Sequence, residues 1–388
     1  TELEGLRVFF RVALSSSSGA AVFSGDETTE GSEYEFTNSD KCGVVFGVGS
    51  ETVTLHMSVS FVSGAHAESL MRERESFDSA RENAHREWND ALSRIEIETD
   101  DSREREIFYS NLYHSLIKPC DLSGESFIDG FSSGDGAFVT DIATMWDIYK
   151  TELPLLFTLY GGISQKFLSS IKNTALALGY YPHCLLLSSN THIESKQARM
   201  LTEFSICDAY YRGIDGDYDT LLDCSLKDAE RFTDFFGSAS GESGSGDGAY
   251  ASHILDMAEA SRALSILAEK IGRKDAAEYF GGYAPRYTEA FGSDGMMREN
   301  SMYYEGNRYN YSFRPMYDMD GRIALCGEEK FRDECMRFFG FTHKKDFSSR
   351  FEGFNNETDM ESPYALLFAG QERELCGVIR GGLDYMYT

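Results

Sequence analysis

Short runs alternating apolar and polar residues open the chain, at Leu6 to Leu14, Ala21 to Phe23, Tyr34 to Thr37, Val44 to Val48 and Val53 to Val62. They are rich in Val, Phe and Thr and are broken by Ser, Gly and Asp, which predicts antiparallel strands of a β-sandwich. About five strands make a poor sandwich alone, so residues 1–64 are expected to be the last part of one, with its opening strands upstream of Thr1. From 65 to 95 the pattern thins and charges of both signs dominate, which predicts a solvated linker helix with His66 and His85 at its surface.

Beyond Ile95 the apolar period lengthens to about 3.6 residues and stays there. Ile107, Phe108, Leu112, Ser115 and Leu116 mark one helix face, and Phe167, Leu168, Ile171, Ala175 and Leu178 another. Further helices are expected at 194–211, 218–235, 251–271, 274–291, 315–326, 328–339, 360–369 and 372–385. Gly, Asp and Ser loops join them, including the low-complexity stretch from Gly237 to Gly248. No fixed repeat is present, so successive helix pairs favour a closed α/α toroid over a solenoid. The fold class is therefore mainly α with an N-terminal β part: the end of a sandwich, a linker helix, and an (α/α)6 toroid over residues 96–388. About ten helices are legible where a six-hairpin ring needs twelve, so the toroid is expected to be incomplete at its C-terminal end. The remaining hairpin is then expected from another segment of the same polypeptide or from a second chain.

Charge narrows the partners. With 36 basic and 64 acidic residues the net charge is −28, which opposes phosphate backbones and anionic lipid heads. Neither nucleic acid nor a membrane is expected as a partner, and the longest nearly apolar run, Leu153 to Ile163, is about half of the roughly 20 residues that cross a bilayer. The eight cysteines show no CxxC spacing and read as mostly buried small hydrophobes, with Cys326 and Cys335 a conceivable bridge in an oxidising compartment.

Three segments concentrate aromatic, carboxylate and amide side chains: Thr144 to Tyr149, Tyr303 to Tyr311 and Phe351 to Asp359. An aromatic face covers the C–H patch of a sugar ring while carboxylates and amides hold its hydroxyls. Glycosidic cleavage also needs two carboxyl groups, one protonated and one ionised.

Around these segments the chain resembles glycoside hydrolase family 92, the calcium-dependent exo-acting α-mannosidases. Trp146-Asp147 with Leu153-Pro154-Leu155-Leu156 is similar to the family's WDTFR…HPLLTL, and Phe108 to Leu116 resembles its FYTALYHTLL helix. Tyr304-Glu-Gly-Asn-Arg-Tyr-Asn-Tyr311 resembles VEGNAWQY, with a matching helix through Gly321 to Leu325. Gly353 to Gly370 is similar to HGNEPSHHIPYLYNYAG. The resemblance implies an exo-α-mannosidase that inverts configuration on a mannose-containing glycan, secreted, periplasmic or lumenal. It implies Glu305 as general acid, Trp146, Asp147, His183, Asn307 and Glu357 as substrate contacts, and Asn356 with Glu357 as calcium ligands. Calcium suits such oxygen donors, and tyrosines around Glu305 would favour its neutral form.

The chain also departs from the pattern. Lys150 stands where the family has Arg, and Thr358, Met360 and Glu361 replace Pro and His residues after Glu357. The family's Gly-Asn-Asp-Asp segment, which supplies the general base, has no counterpart before Thr388. A non-catalytic glycan-binding or structural protein retaining the fold is therefore the alternative, and an α/α-toroid enzyme of other linkage specificity is a third reading. His192 and Glu194 border the implied site. Asp208, Asp217 and Asp219 lack EF-hand spacing and read as helix caps, and His114 as a packed or capping histidine. Asn310 and Asn356 each begin a glycosylation sequon.

Overall fold

The computed structural model describes residues 6–31, 42–49, 52–71, 75–142, 144–185, 198–237, 250–303, 306–339 and 357–385. The chain divides into two units, one of Gly5–Leu116 with Glu125–Phe127 and one built from Ile117–Gly124 and Ile128–Thr388. The protein is mainly helical with a small N-terminal β part.

In the first unit the β segments form two antiparallel sheets. Strand β1 (Phe9–Leu14) pairs with β5 (Leu55–Ser60) in a register that sets Phe10 opposite Val59. Strand β2 (Gly19–Ser24) lies between β3 (Glu27–Glu30) and β4 (Cys42–Gly47). The period-2 pattern located these strands except β3, whose Glu-Thr-Thr-Glu sequence is exposed along its whole length and carries no apolar alternation. The Tyr34 to Thr37 expectation lies outside the described residues. Of the side chains described in β1 to β5, only Val22 and Ser60 are buried. Ser60 is held by a carboxylate: its Oγ and the Phe61 N–H both donate to Glu125 Oε2 at 2.8 Å.

The segment expected to be one linker helix is two. Helix α1 (Gly64–Ser69) is capped by Ser63, whose hydroxyl accepts from the His66 N–H, and α2 (Phe77–Leu92) is capped by Ser76. No residue of α2 is buried, as its charge pattern requires. His85 is exposed, but His66 Nε2 lies 3.0 Å from Glu125 Oε1, so this histidine is engaged rather than merely solvated. In α3 (Ser102–His114) Leu112 is buried but Ile107 is exposed, and His114 is an exposed residue of the last turn. Its position near the carbonyl end suits a cation.

The larger unit begins with a two-residue ladder, β6 (Cys120–Asp121) with β7 (Val139–Thr140), which the sequence pattern did not indicate. Then come α4 (Met145–Ile148), α5 (Glu152–Leu159), α6 (Gly161–Leu178), α7 (Leu201–Tyr211), α8 (Tyr218–Ala229) and α9 (Thr233–Phe236). Helix α10 (Ala251–Ile271) is followed by α11 (Lys274–Tyr283) and a 3₁₀ turn, Ala284–Ala290, where Pro285 ends the α ladder. The rest comprises α12 (Arg308–Ser312), α13 (Met319–Cys326), α14 (Glu328–Phe338), α15 (Ala365–Phe368) and α16 (Glu372–Tyr385). On α6, Phe167, Leu168, Ile171 and Ala175 are buried as their 3.6-residue spacing predicts.

The core of this unit is built around α10. Every residue from Ala251 to Ser261 is buried, so the helix is enclosed on all sides there, and it packs against α7, α8, α11 and the 3₁₀ turn. Gly272, at φ +85, closes it in the left-handed conformation glycine adopts without strain. Asp217 caps α8 by accepting from the Thr220 N–H, whereas Asp208 pairs with Arg212 at 2.8 Å along α7 rather than capping it. Cys184, Cys207, Cys224 and Cys335 are buried, but Cys42 and Cys376 are exposed; Cys326 and Cys335 are separate thiols and not a bridge.

Candidate functional site

Two of the sugar-type segments and the described end of the third lie in the larger unit, and hydrogen bonds and ion pairs connect them. The first follows an extended Thr144, whose hydroxyl donates to the Asp147 carboxylate at the start of α4. Met145 and Tyr149 are buried and anchor the turn, leaving Asp147 exposed and Trp146 half-buried. His183 belongs to the adjoining strand-like segment. Its carbonyl accepts from the Met145 N–H at 3.4 Å, and its ring stacks on Phe232 with centroids 6.2 Å apart. Asp147 and His183 are thus carried by directly bonded backbone segments, although 36 positions separate them.

The second and third segments meet through an amide. Asn307 caps α12, its side-chain oxygen accepting from the Tyr309 N–H at 2.8 Å, while Asn310 returns a contact to the Asn307 N–H at 2.9 Å. Asn310 Nδ2 also donates to Asp359 Oδ2 at 2.9 Å, and Ser362 Oγ donates to the Asn310 carbonyl at 3.4 Å. Asn310 is 1% exposed, so its sequon cannot carry a glycan in the folded chain. Of the other expected site residues, Glu305 and Asn356 lie outside the described residues, as do His192 and Glu194. Glu357 is described only as backbone of the 3₁₀ turn Glu357–Met360.

A cluster of charges joins residues one to three positions beyond each segment, Lys150, Arg314 and Glu361, to α10. Arg314, two residues beyond α12, contacts Asp256 and lies 2.7 Å from Glu259 Oε2 and 3.1 Å from Glu361 Oε1. Lys150 Nζ lies 2.7 Å from Glu361 Oε2 and 4.0 Å from Glu259 Oε2. The side chains of Arg314, Asp256 and Glu259 are 3%, 2% and 6% exposed, but those of Lys150 and Glu361 are 23% and 20% exposed. The cluster therefore has a dry floor and a rim that water reaches. Tyr149 completes it, with the Arg314 guanidinium 5.6 Å and the Lys150 ammonium 5.3 Å from its ring centre.

Burial disfavours charge in this floor. It pushes the carboxyls of Asp256 and Glu259 up, with Arg314 opposing at the first and Lys150 and Arg314 at the second. Arg314 also suffers from burial, yet Tyr149, Glu259, Asp256 and Glu361 more than offset it and hold the guanidinium charged. Among the described residues no group of three or more His, Cys, Asp or Glu is arranged to hold a metal ion.

Sequence reasoning did not single out Arg314, Asp256, Glu259, Asn310 or Asp359 as a unit. The one local signal was two carboxylates, at 256 and 259, among the small and apolar residues that dominate the first turns of α10.

Comparison with known proteins places the chain. The family model of the glycosyl hydrolase family 92 catalytic domain matches residues 65–388, and the chain belongs to that family. Solved structures similar to it include a family GH92 inverting mannosidase of Bacteroides thetaiotaomicron, at 18% identity and TM-score 0.71, over 96% of this chain and 55% of that one. A family GH92 α-mannosidase from the same organism, in complex with mannoimidazole, matches at 16% identity and TM-score 0.76, over 97% of this chain and 56% of that one. Its structure described without that compound gives 17% identity at the same TM-score and coverage. At such identities the likeness is one of fold, and the chain spans little more than half the length of these proteins. No curated protein sequence matches it.

Proposed function

We propose that the chain carries the glycone-binding and acid-donating half of an exo-α-mannosidase of the inverting type, on helices arranged as an (α/α)6 toroid. The observation that supports this best is the convergence of the 144–150, 307–314 and 359–362 segments on one polar cluster, since the first two hold Trp146, Asp147 and Asn307, and the stretches matched to the family around Glu305 and Glu357 adjoin the second and third. In this reading Asp147, Trp146, His183 and Asn307 contact the sugar, and Glu305 protonates the departing glycosidic oxygen while water attacks the opposite face of the ring. The substrate is a terminal α-mannoside of a glycan, met outside the cytoplasm.

Calcium belongs to the proposal as well. Asn356 and Glu357, offering amide and carboxylate oxygens, would hold it; a hard cation there supplies positive charge to sugar hydroxyls. Calorimetric titration with methyl α-mannoside, with and without a chelator, tests this. An affinity indifferent to chelation removes the ion.

The enzymatic claim is tested by Glu305→Gln. The amide keeps the shape but loses the proton, so in the assembled, active protein turnover of mannosides with poor leaving groups should fall about 10²- to 10⁴-fold with mannoside affinity retained. Equal rates for the variant and the parent chain would remove Glu305 from the reaction. Mannoside binding without turnover, even with the segment that supplies the general base present, would instead favour the glycan-binding alternative.

A further inference from the structure

Lys150 and Glu361 are two of the positions at which this chain departs from the family pattern, and the structure joins them in one ion pair of 2.7 Å. They form the water-accessible rim of the charge cluster. Behind them Arg314 Nε lies 3.1 Å from the second oxygen of Glu361 as an ion pair, and Arg314 is itself paired with Asp256 and Glu259. Glu361 is thus a carboxylate of fixed orientation, and Lys150 an ammonium whose single short contact among the described residues is that carboxylate. Glu259 supplies a separate observation. Its Oε2 is buried, is ion-paired with the Arg314 guanidinium at 2.7 Å, and faces Lys150 across 4.0 Å, too far for a direct hydrogen bond.

An ammonium only donates and a carboxylate only accepts, whereas every sugar hydroxyl does both. A donor and an acceptor set side by side therefore complement two neighbouring hydroxyls. The same arrangement is hostile to an anion. Three carboxylates here oppose two cations, and Lys150, the cation at the rim, is already neutralised by Glu361. In a poorly solvated site that imbalance acts at greater strength than in water.

We propose that the Lys150–Glu361 pair determines the substrate class of this site: it binds an uncharged hexose through adjacent hydroxyls and rejects glycones bearing phosphate or carboxylate. This rests on the glycan-hydrolase reading above and goes beyond it by assigning specificity to two residues.

The test compares methyl α-mannopyranoside with its 6-phosphate by calorimetry on the full chain. The parent chain should bind the neutral sugar and bind the phosphate at least about tenfold more weakly. Glu361→Gln keeps an acceptor for Arg314 but frees Lys150. It should weaken the neutral sugar about tenfold to a hundredfold, the range of a hydrogen bond to a charged group, and shift the phosphate-to-neutral affinity ratio toward phosphate by about tenfold or more. Lys150→Met should weaken the neutral sugar without improving the phosphate, and Lys150→Arg should restore part of the loss. A merely structural pair would lower both affinities together, so an unchanged ratio in Glu361→Gln overturns the proposal. If that variant does not fold, unaltered neutral-sugar affinity in Lys150→Met overturns it instead. A parent chain that binds neither sugar overturns the glycan reading as well, whereas neutral binding with an unchanged ratio removes only the pair.

Discussion

A buried charge is tolerable only where opposite charge meets it at short range, and Arg314 shows how closely this cluster follows that rule. Removing the guanidinium would leave Asp256 and Glu259 facing each other in a nearly dry interior, whereas both are now held by one cation. Breaking a buried pair from one side costs about 3–5 kcal/mol. Arg314→Leu is therefore expected to lower unfolding free energy in urea by that amount. A loss below about 1 kcal/mol would mean that the floor is wetter than its exposure indicates. Glu152, the first residue of α5, gives a pH-dependent counterpart. Burial pushes its carboxyl from 4.5 up to about 7, with Lys118 opposing. A folded-state pKa above the unfolded one means that the folded chain holds the extra proton between about pH 4.5 and 7. Stability attributable to this group is hence full below that window and lost as pH rises through it. Glu152→Gln should match the parent at pH 4 and exceed it at pH 8, by about 1 kcal/mol once solvent screening of a partly exposed group is allowed for. Equal denaturation midpoints at pH 8 would place Glu152 in water. Residues of this kind were hardly legible beforehand: among 64 acidic side chains, each Asp or Glu reads as a surface group, and burial depends on partners distant in sequence, as Asp256 is from Arg314, 58 positions away. Asp147 and His183 could be singled out because aromatic neighbours and motif spacing are local properties. Arg314 could not.

At the scale of elements, the pattern was most informative where a helix is amphipathic or bounded by glycine. The ends expected for 251–271 and 372–385 coincide with α10 and α16. It was least informative where a boundary depends on backbone chemistry within an apolar run: 274–291 changes to a 3₁₀ turn at Pro285, and α13 begins only at Met319, after its cap Asp318. Gly295 shows what such local chemistry contributes. It has φ +75, and a Cβ there would stand 2.4 Å from Cys326 Cα and 2.7 Å from the Leu325 carbonyl oxygen. Those atoms are backbone at the end of α13 and cannot rotate away, so the turn and the helix are in direct contact because the side chain is absent. Gly295→Ala combines this clash with the cost of a left-handed alanine, of order 1–3 kcal/mol by itself. It should therefore lower stability by more than about 2 kcal/mol, read from thermal or urea unfolding. The nearby Gly292→Ala, at ordinary φ with its shortest contact 3.2 Å to the Asp294 side chain and no backbone atom closer than 3.7 Å, should cost clearly less. Equal losses at the two positions would discount the close approach.

For the whole molecule two electrostatic effects oppose each other. Partly exposed surface pairs such as Arg286 with Glu289 and Arg337 with Glu334 contribute about 0–1 kcal/mol each and weaken as salt is added. The net charge of −28 produces a diffuse repulsion that resists any compact state and is also screened by salt. The buried cluster around Arg314 is shielded from ions by its surroundings and should respond little. Repulsion grows with the square of the net charge, whereas the exposed pairs add one at a time, so repulsion is the larger of the two screened quantities. Raising sodium chloride from about 10 mM to 150 mM shortens the Debye length from about 30 Å to 8 Å, which removes long-range repulsion before it reaches pairs only 3 Å apart. The melting temperature is therefore expected to rise by a few degrees over this interval and then flatten. In Arg314→Leu the same rise should persist on a lower baseline, because its lost interaction is not a screened one. A melting temperature that falls with salt would mean that exposed ion pairs, and not the net charge, dominate the electrostatics of this chain.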